Sequence, residues 1–244
     1  MKVFVLGLLG MGVAIASSAA EPAPALKDQK DKVSYSIGMD IGRNIKRQNL
    51  ELNVDALSSG IRDAIAGGKT ALTEDEAREV MNAYRTEMQS KQQSMAKEQG
   101  DKNKTEGETF LAANKAKEGV KTHNVTLPNG TNAVLQYKVL TAGTGPKPST
   151  NDTVITHYRG TLIDGTEFDS SYKRGEPATF PVTGVIKGWT EALLMMPVGS
   201  KWQLFIPADL AYGERGAGRQ IGPNATLIFD IELIGIQDKA QAAK

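Results

Sequence analysis

The chain has 244 residues, 40% of them hydrophobic, with 29 basic and 28 acidic side chains, two histidines and no cysteine. The missing cysteine excludes a disulfide framework, a thiol nucleophile and a lipid-bearing cysteine. The near-zero net charge gives no electrostatic reason to expect nucleic acid or an anionic membrane as partner, and the length allows one or two domains with an ordinary hydrophobic core.

The chain begins MKVFVLGLLGMGVAIASSAAEPAPA. Lys2 precedes an uncharged apolar run from Val3 to Ile15, and small residues stand at Ser18 and Ala20. This pattern predicts a secretory signal peptide over residues 1–20; the run is short for a membrane span, which needs about 20 apolar residues. Loss of the leader removes Lys2 and lowers the 29 basic residues to 28, equal to the acidic count. A Pro/Ala tether, EPAPAL, follows. Val33, Ile37, Ile41 and Ile45 then recur every four residues, as do Val54, Leu57, Ile61 and Ile65 with small offsets, and Gly67-Gly68 ends the second run. Two short amphipathic helices are expected over residues 21–72. Such a pair cannot bury enough apolar surface alone, so it is expected to pack against a second copy of itself.

Thr73 and Glu76 form a capping box. The helix they open is expected within residues 73–121 and can run to about Glu118, roughly 65 Å at ~1.5 Å per residue. Met81, Tyr84, Met88 and Met95 make a thin apolar stripe that fades into Gln, Lys and Glu. Gly100 and Gly107 each weaken a helix by ~1 kcal/mol against Ala. The segment reads as an exposed strut, hinged at these glycines. From residue 122 to 244 the period changes to that of strands, near Val125 and over 134–140, 153–158, 179–182, 201–206 and 226–236. One short helical stretch, residues 188–195, interrupts them. An α+β arrangement of a small antiparallel sheet and one helix follows.

Chemistry is sparse along this chain. The only histidines are His123 and His157, so a transition-metal site would need carboxylates almost alone, and no metal or cofactor is expected. Gly68-Lys69-Thr70 resembles the tail of a phosphate loop, but Asp63 occupies the position of its first glycine. The stretch EFDSS (Glu167 to Ser171) gathers acids and hydroxyls, yet no nucleophile elbow is present. What stands out is a set of large residues at turns and strand ends: Tyr158, Phe168, Val185, Ile186, Trp189, Tyr212 and Phe229. Each singly also reads as core; together they could line a concave binding cleft.

The stretches HYRGTLIDGTEFDSSYKRGEPATFPV, VIKGWTEALLMMPVGSKWQLFIPADLAYG and GPNATLIFDIELI resemble the FKBP-type peptidyl-prolyl cis–trans isomerases. SYSIGMDIGRNIK through FLAANKAKEGV is similar to the dimerisation domain of the macrophage infectivity potentiator subgroup of that family. The resemblance implies a twisted, half-open antiparallel sheet wrapped on a short helix, preceded by an all-helical dimerisation domain and a long connecting helix. It implies V-shaped homodimers in the periplasm, free or at the outer membrane. Their partners would be proline-containing unfolded or partly folded proteins and macrolide immunosuppressants of the rapamycin type. The activity implied is rotation about X–Pro bonds, helping envelope proteins to fold; the alternative is a holdase chaperone in which isomerisation is incidental. By the same resemblance Trp189 is the pocket floor, and Tyr158, Phe168, Val185, Ile186 and Phe229 are its walls. The Ile186 amide and the Tyr212 hydroxyl bind substrate carbonyls. Asp169 is held by Arg174 and the Tyr158 hydroxyl and faces the twisted carbonyl, and Ile221 lies on a flap. Glu167 is expected to face solvent and Ser170-Ser171 to hold the turn. Ala178, Ala217 and Gln220 depart from the family's usual residues, with Ala178 replacing an aromatic wall, which implies a cleft more open on one side.

Overall fold

The computed structural model describes residues 25–237; the expected signal peptide lies outside the described residues. The chain divides into two compact units, residues 1–77 and 78–244.

In the first unit, α1 spans Gln29–Arg47 and α2 spans Val54–Ala66. The Asp28 carboxylate accepts from the Asp31 amide at 2.8 Å to start α1, and Asn53 does the same for Ala56 at 3.0 Å to start α2. Gly67, at φ 66°, ends α2 in the left-handed conformation. Both helices are amphipathic, yet neither has a buried residue. Val33, Ile37, Ile41, Val54, Ile61 and Ile65 are all exposed.

Helix α3 runs over Glu74–Lys115. Its start is the expected capping box: Thr73 Oγ1 accepts from the Glu76 amide at 3.2 Å, and Glu76 accepts from the Thr73 amide at 2.8 Å. Val80, Met81 and Met95, all before residue 99, are exposed. Beyond residue 99 the helix departs from the solvated, hinged strut read from the sequence. Gly100, Gly107 and Asn114 are its buried residues. A Cβ on Gly100 would stand 3.1 Å from Pro223 Cβ, and one on Gly107 would stand 2.3 Å from Thr226 Oγ1. Phe110 packs on Phe205 with ring centroids 6.0 Å apart. Asn114 donates to Gln136 Oε1 at 3.0 Å, and Gln136 donates to the Leu111 carbonyl at 2.8 Å. The glycines are points of close approach to the segment that leads into β7. Local propensity cannot register such a contact because the partner lies more than 100 residues away in sequence.

The sheet has seven antiparallel strands: β1 (Val120–Thr126), β2 (Asn132–Thr141), β3 (Thr153–Leu162), β4 (Glu167–Ser170), β5 (Ala178–Pro181), β6 (Lys201–Ile206) and β7 (Leu227–Ile236). Their order is β1-β2-β6-β7-β3-β4, with β5 also paired to β3. The outer edge of β3 is thus shared: β4 pairs with residues 159–161 and β5 with residues 153–156. The single turn α4 (Ser171–Arg174) lies between these two short strands in the chain. Strand β4, only four residues long, is absent from the sequence reading. Alternation puts Leu227, Phe229, Ile231 and Leu233 of β7 and Val154, Thr156 and Tyr158 of β3 into the core. Helix α5 (Lys187–Met195) packs into that core through Trp189, Ala192 and Leu193.

Candidate active site

One cavity of about 630 Å³ opens between α5 and the concave face of the sheet. Nine of the ten site residues inferred from the sequence line it: Tyr158, Phe168, Asp169, Val185, Ile186, Trp189, Tyr212, Ile221 and Phe229. The tenth, Arg174, stands behind Asp169.

Pairing register assembles the aromatic part. Tyr158 of β3 lies opposite Ile231 of β7, and Gly160 opposite Phe229. Only glycine fits at 160, because a Cβ there would lie 2.7 Å from both the Phe168 and the Phe229 ring. These two rings meet edge to face at 5.5 Å. Trp189, 3% exposed, is ringed by Tyr158 at 5.2 Å, Phe180 at 5.7 Å and Phe229 at 5.2 Å, each nearly perpendicular to it. Such T-shaped contacts match the positive edge of one ring to the negative face of another. The Trp189 Nε1–H is buried without a hydrogen-bond acceptor among the described residues.

The α5 N-terminus supplies a polar element. The Ile186 carbonyl accepts from the Trp189 amide at 2.9 Å and the Thr190 amide at 3.1 Å. Thr190 Oγ1 donates to the Val182 carbonyl at 2.8 Å and ties the helix to the preceding loop. The Ile186 amide itself has no acceptor among the described residues.

At the rim, three groups form a closed triangle. Tyr158 Oη donates to Asp169 Oδ2 at 2.6 Å, Arg174 Nη1 donates to Asp169 Oδ1 at 2.6 Å, and Arg174 Nη2 donates to Tyr158 Oη at 2.7 Å. Burial opposes ionisation of Asp169, but the hydrogen bonds from Tyr158 and Arg174 and the Arg174 charge outweigh it and lower its pKa. Burial pushes the Tyr158 phenol up, and so does its bond to Asp169. Hydrogen bonding to Tyr158 and Asp169 raises Arg174 further. The triangle is therefore fixed as phenol, carboxylate and guanidinium at neutral pH. Tyr212, 40% exposed, is also raised, first by burial and then by the Asp169 charge, and remains a phenol.

Neighbouring residues complete the account of EFDSS. Ser171 is fully buried; its Oγ accepts from the Tyr158 amide at 2.8 Å, donates to the Tyr158 carbonyl at 3.2 Å and lies 3.0 Å from His157 Nδ1. It clamps β3 where Tyr158 leaves it, whereas Ser170 makes no capping bond. Glu167 does not face solvent: its side chain is 17% exposed and pairs with Arg159 at 2.6 Å and Lys173 at 2.9 Å. Those two partners, Lys173 foremost, lower its pKa.

Phe180 is the aromatic cavity residue that sequence reasoning missed; Gly184, Gly218 and Arg219 also line the cavity and were not expected there. Ala178 does not line the cavity, and Phe180, two residues on and on the same side of β5, does. The wall keeps an aromatic ring, displaced by one pleat. The two-residue period of the strand was the signal available for it. Ala217, Gly218, Arg219 and Gln220 form the opposite wall.

Comparison with known proteins bears on the family and the fold. The family model for FKBP-type peptidyl-prolyl cis-trans isomerases matches residues 145–234, and that for the domain amino terminal to such isomerases matches residues 30–139. The outer membrane protein MIP of Legionella longbeachae is 46% identical over 98% of this chain and 99% of its own length. The peptidyl-prolyl cis-trans isomerase Mip of Coxiella burnetii is 44% identical over 98% of this chain and all of its own. The crystal structure of FkpA from Escherichia coli, 37% identical, superposes with a TM-score of 0.64 over 87% of this chain and 99% of that one. Two family models that between them span both units, full-length relatives and a shared fold lead to one assignment: the chain belongs to the FKBP-type peptidyl-prolyl cis-trans isomerases of the Mip and FkpA kind, and it is an enzyme of that class.

Proposed function

We propose that the cavity takes an X–Pro segment with the proline ring against Trp189 and stabilises the twisted peptide bond without covalent chemistry. The barrier to be lowered is amide resonance, ~18–20 kcal/mol. Twisting removes charge separation between nitrogen and oxygen, so walls of aromatic and aliphatic side chains favour the twisted form over the planar one. Lowering the barrier by about 5–6 kcal/mol gives roughly a 10⁴-fold acceleration. The Ile186 amide, lacking an acceptor, and the Tyr212 hydroxyl bind the substrate carbonyls. A twisted carbonyl carbon is more ketone-like, and the fixed Asp169 carboxylate offers it an oxygen lone pair. Arg174 and Tyr158 hold that carboxylate ionised and in place, so it serves as a fixed dipole partner and not as a proton donor.

The observation that carries this reading is the Trp189 aromatic ring set with a pinned carboxylate at its rim. Its test is kcat/KM on an X–Pro peptide. Tyr212→Phe, which loses one aimed hydrogen bond of ~1.4 kcal/mol, and Asp169→Leu, which loses the pinned carboxylate, are each expected to lower it about tenfold. Wild-type rates in both variants would overturn the residue assignments.

In the same proposal the enzyme works on envelope proteins as a homodimer joined through α1 and α2. The support is an amphipathic helix pair with no buried residue, together with a leader-like N-terminus and a relative named as an outer membrane protein. A monomer by sedimentation of the mature protein, or an N-terminus retained on the protein recovered from the periplasm, would remove the corresponding part.

A further inference from the structure

Residues 213–224 form a flap with two faces. Arg219 and Gln220 line the catalytic cavity and also a second cavity of about 380 Å³ formed with Gln99, Lys102, Asn103 and Glu106 of α3. Within the flap, Ala217 and Ile221 exchange backbone hydrogen bonds of 2.8 and 3.2 Å. At its base the chain is tied to the helix. Asn103 Nδ2 donates to the Pro223 carbonyl at 2.7 Å, and Asn103 Oδ1 accepts from Gln99 Nε2 at 2.7 Å, which orients the amide. Asn224 adopts a left-handed backbone, φ 55°, without being glycine. It is held there by its amide, which donates to the Gly213 carbonyl at 2.9 Å, and by its side chain, which donates to the Gly100 carbonyl at 3.3 Å. Gly213 directly follows Tyr212.

We propose that α3 is a structural wall of the isomerase site and that Asn103 is a positioning residue, setting the flap that carries Ile221 and directly follows Tyr212. The path is short: Asn103 fixes Pro223, Asn224 links Gly100 to Gly213, and Gly213 fixes the backbone of Tyr212. The bare Gly100 and Gly107 surfaces let the helix come close enough for these bonds to form. A shift of α3 by a few tenths of an ångström moves the Tyr212 hydroxyl relative to Trp189, and catalytic hydrogen bonds are sensitive to such displacements. This inference rests on the assignment of Tyr212 and Ile221 to the site.

The test uses the full mature chain with two readouts: kcat/KM on an X–Pro peptide, and hydrogen exchange at the Ala217, Ile221 and Asn224 amides. Asn103→Ala and Asn103→Asp, the latter unable to donate to the Pro223 carbonyl, are both expected to lower kcat/KM about three- to tenfold. Both are expected to speed flap exchange by a similar factor while the β2 amides stay at wild-type rates. Gly107→Ala, which drives the helix off Thr226, is expected to reproduce the loss, and adding Thr226→Ala is expected to restore it. If Tyr212→Phe slows the enzyme while Asn103→Ala changes neither readout, the positioning role is wrong and the site stands. If Asn103→Ala loosens the flap but neither variant changes the rate, the site assignment fails and the positioning role fails with it.

Discussion

At the scale of single residues, the site is a charge pattern that pH hardly touches. The folded-state pKa of Asp169 is lowered, so its ionised form persists below the ordinary carboxyl value of ~3.9. The associated stabilisation is present above that value and is lost only as the pH falls through the depressed folded one. Tyr158 and Tyr212 are raised and stay protonated. Neither His123 nor His157 lines the cavity. The isomerisation rate is therefore expected to be flat between about pH 5 and 8, well inside the range bounded by these groups. Exchange NMR on a proline peptide measures this without a coupled protease, and a sigmoid near ~6.5 would implicate a histidine. Phe180 gives a second check. Phe180→Ala removes one of the three rings around Trp189 and is expected to weaken peptide binding at least tenfold, since burying an aromatic side chain is worth ~1.5–3 kcal/mol; Ala178→Ser is expected to leave binding unchanged. Isothermal titration with a proline-containing peptide separates the two. Trp189, Asp169 and Tyr212 were legible in the sequence because their residue types stand at fixed offsets. Phe180 stands two residues from Ala178, and only the strand period, not any residue type at its own position, marks it as facing the same side.

At the scale of elements, α3 shows where local and tertiary rules conflict. Its N-terminus was legible to the residue, since a capping box is a contact between Thr73 and Glu76, three positions apart. Gly100 and Gly107 were misread because helix propensity counts only what happens within a turn or so. Gly107→Ala stabilises an isolated helix by ~1 kcal/mol. In the folded protein its Cβ meets Thr226 Oγ1 at 2.3 Å, and overpacking costs about 1–3 kcal/mol. A lower melting temperature is expected, against the propensity scale; a rise would mean that the helix and the segment before β7 can part without penalty. Helix α5 offers the opposite case. Leu193 is fully buried behind Trp189, its apolar character was legible, and Leu193→Ala is expected to cost about 2–5 kcal/mol in denaturant unfolding.

At the scale of the whole molecule, the two units differ in what holds them. Residues 78–244 contain the core, from Leu135 and Val154 through Leu204 to Leu233. Helices α1 and α2 contribute no buried residue. The fold class was legible because the hydrophobic period changes from helix-like to strand-like near residue 121. The compact units divide earlier, at 77, and assign most of α3 to the unit that holds the sheet; the contacts of its last third join residues 100–114 to residues 136–226, beyond the reach of any sequence window. The helix pair without a core also has a kinetic consequence. In the proposed dimer its ordering is second order in chain, whereas the sheet unit closes on its own core in a first-order step. On dilution from denaturant, isomerase activity is expected to return at a rate independent of protein concentration. Helical signal from α1 and α2 should follow with a half-time that lengthens in proportion to dilution. Refolding at two concentrations a hundredfold apart would display the two phases, and a single phase common to both probes would mean that the helices order within one chain.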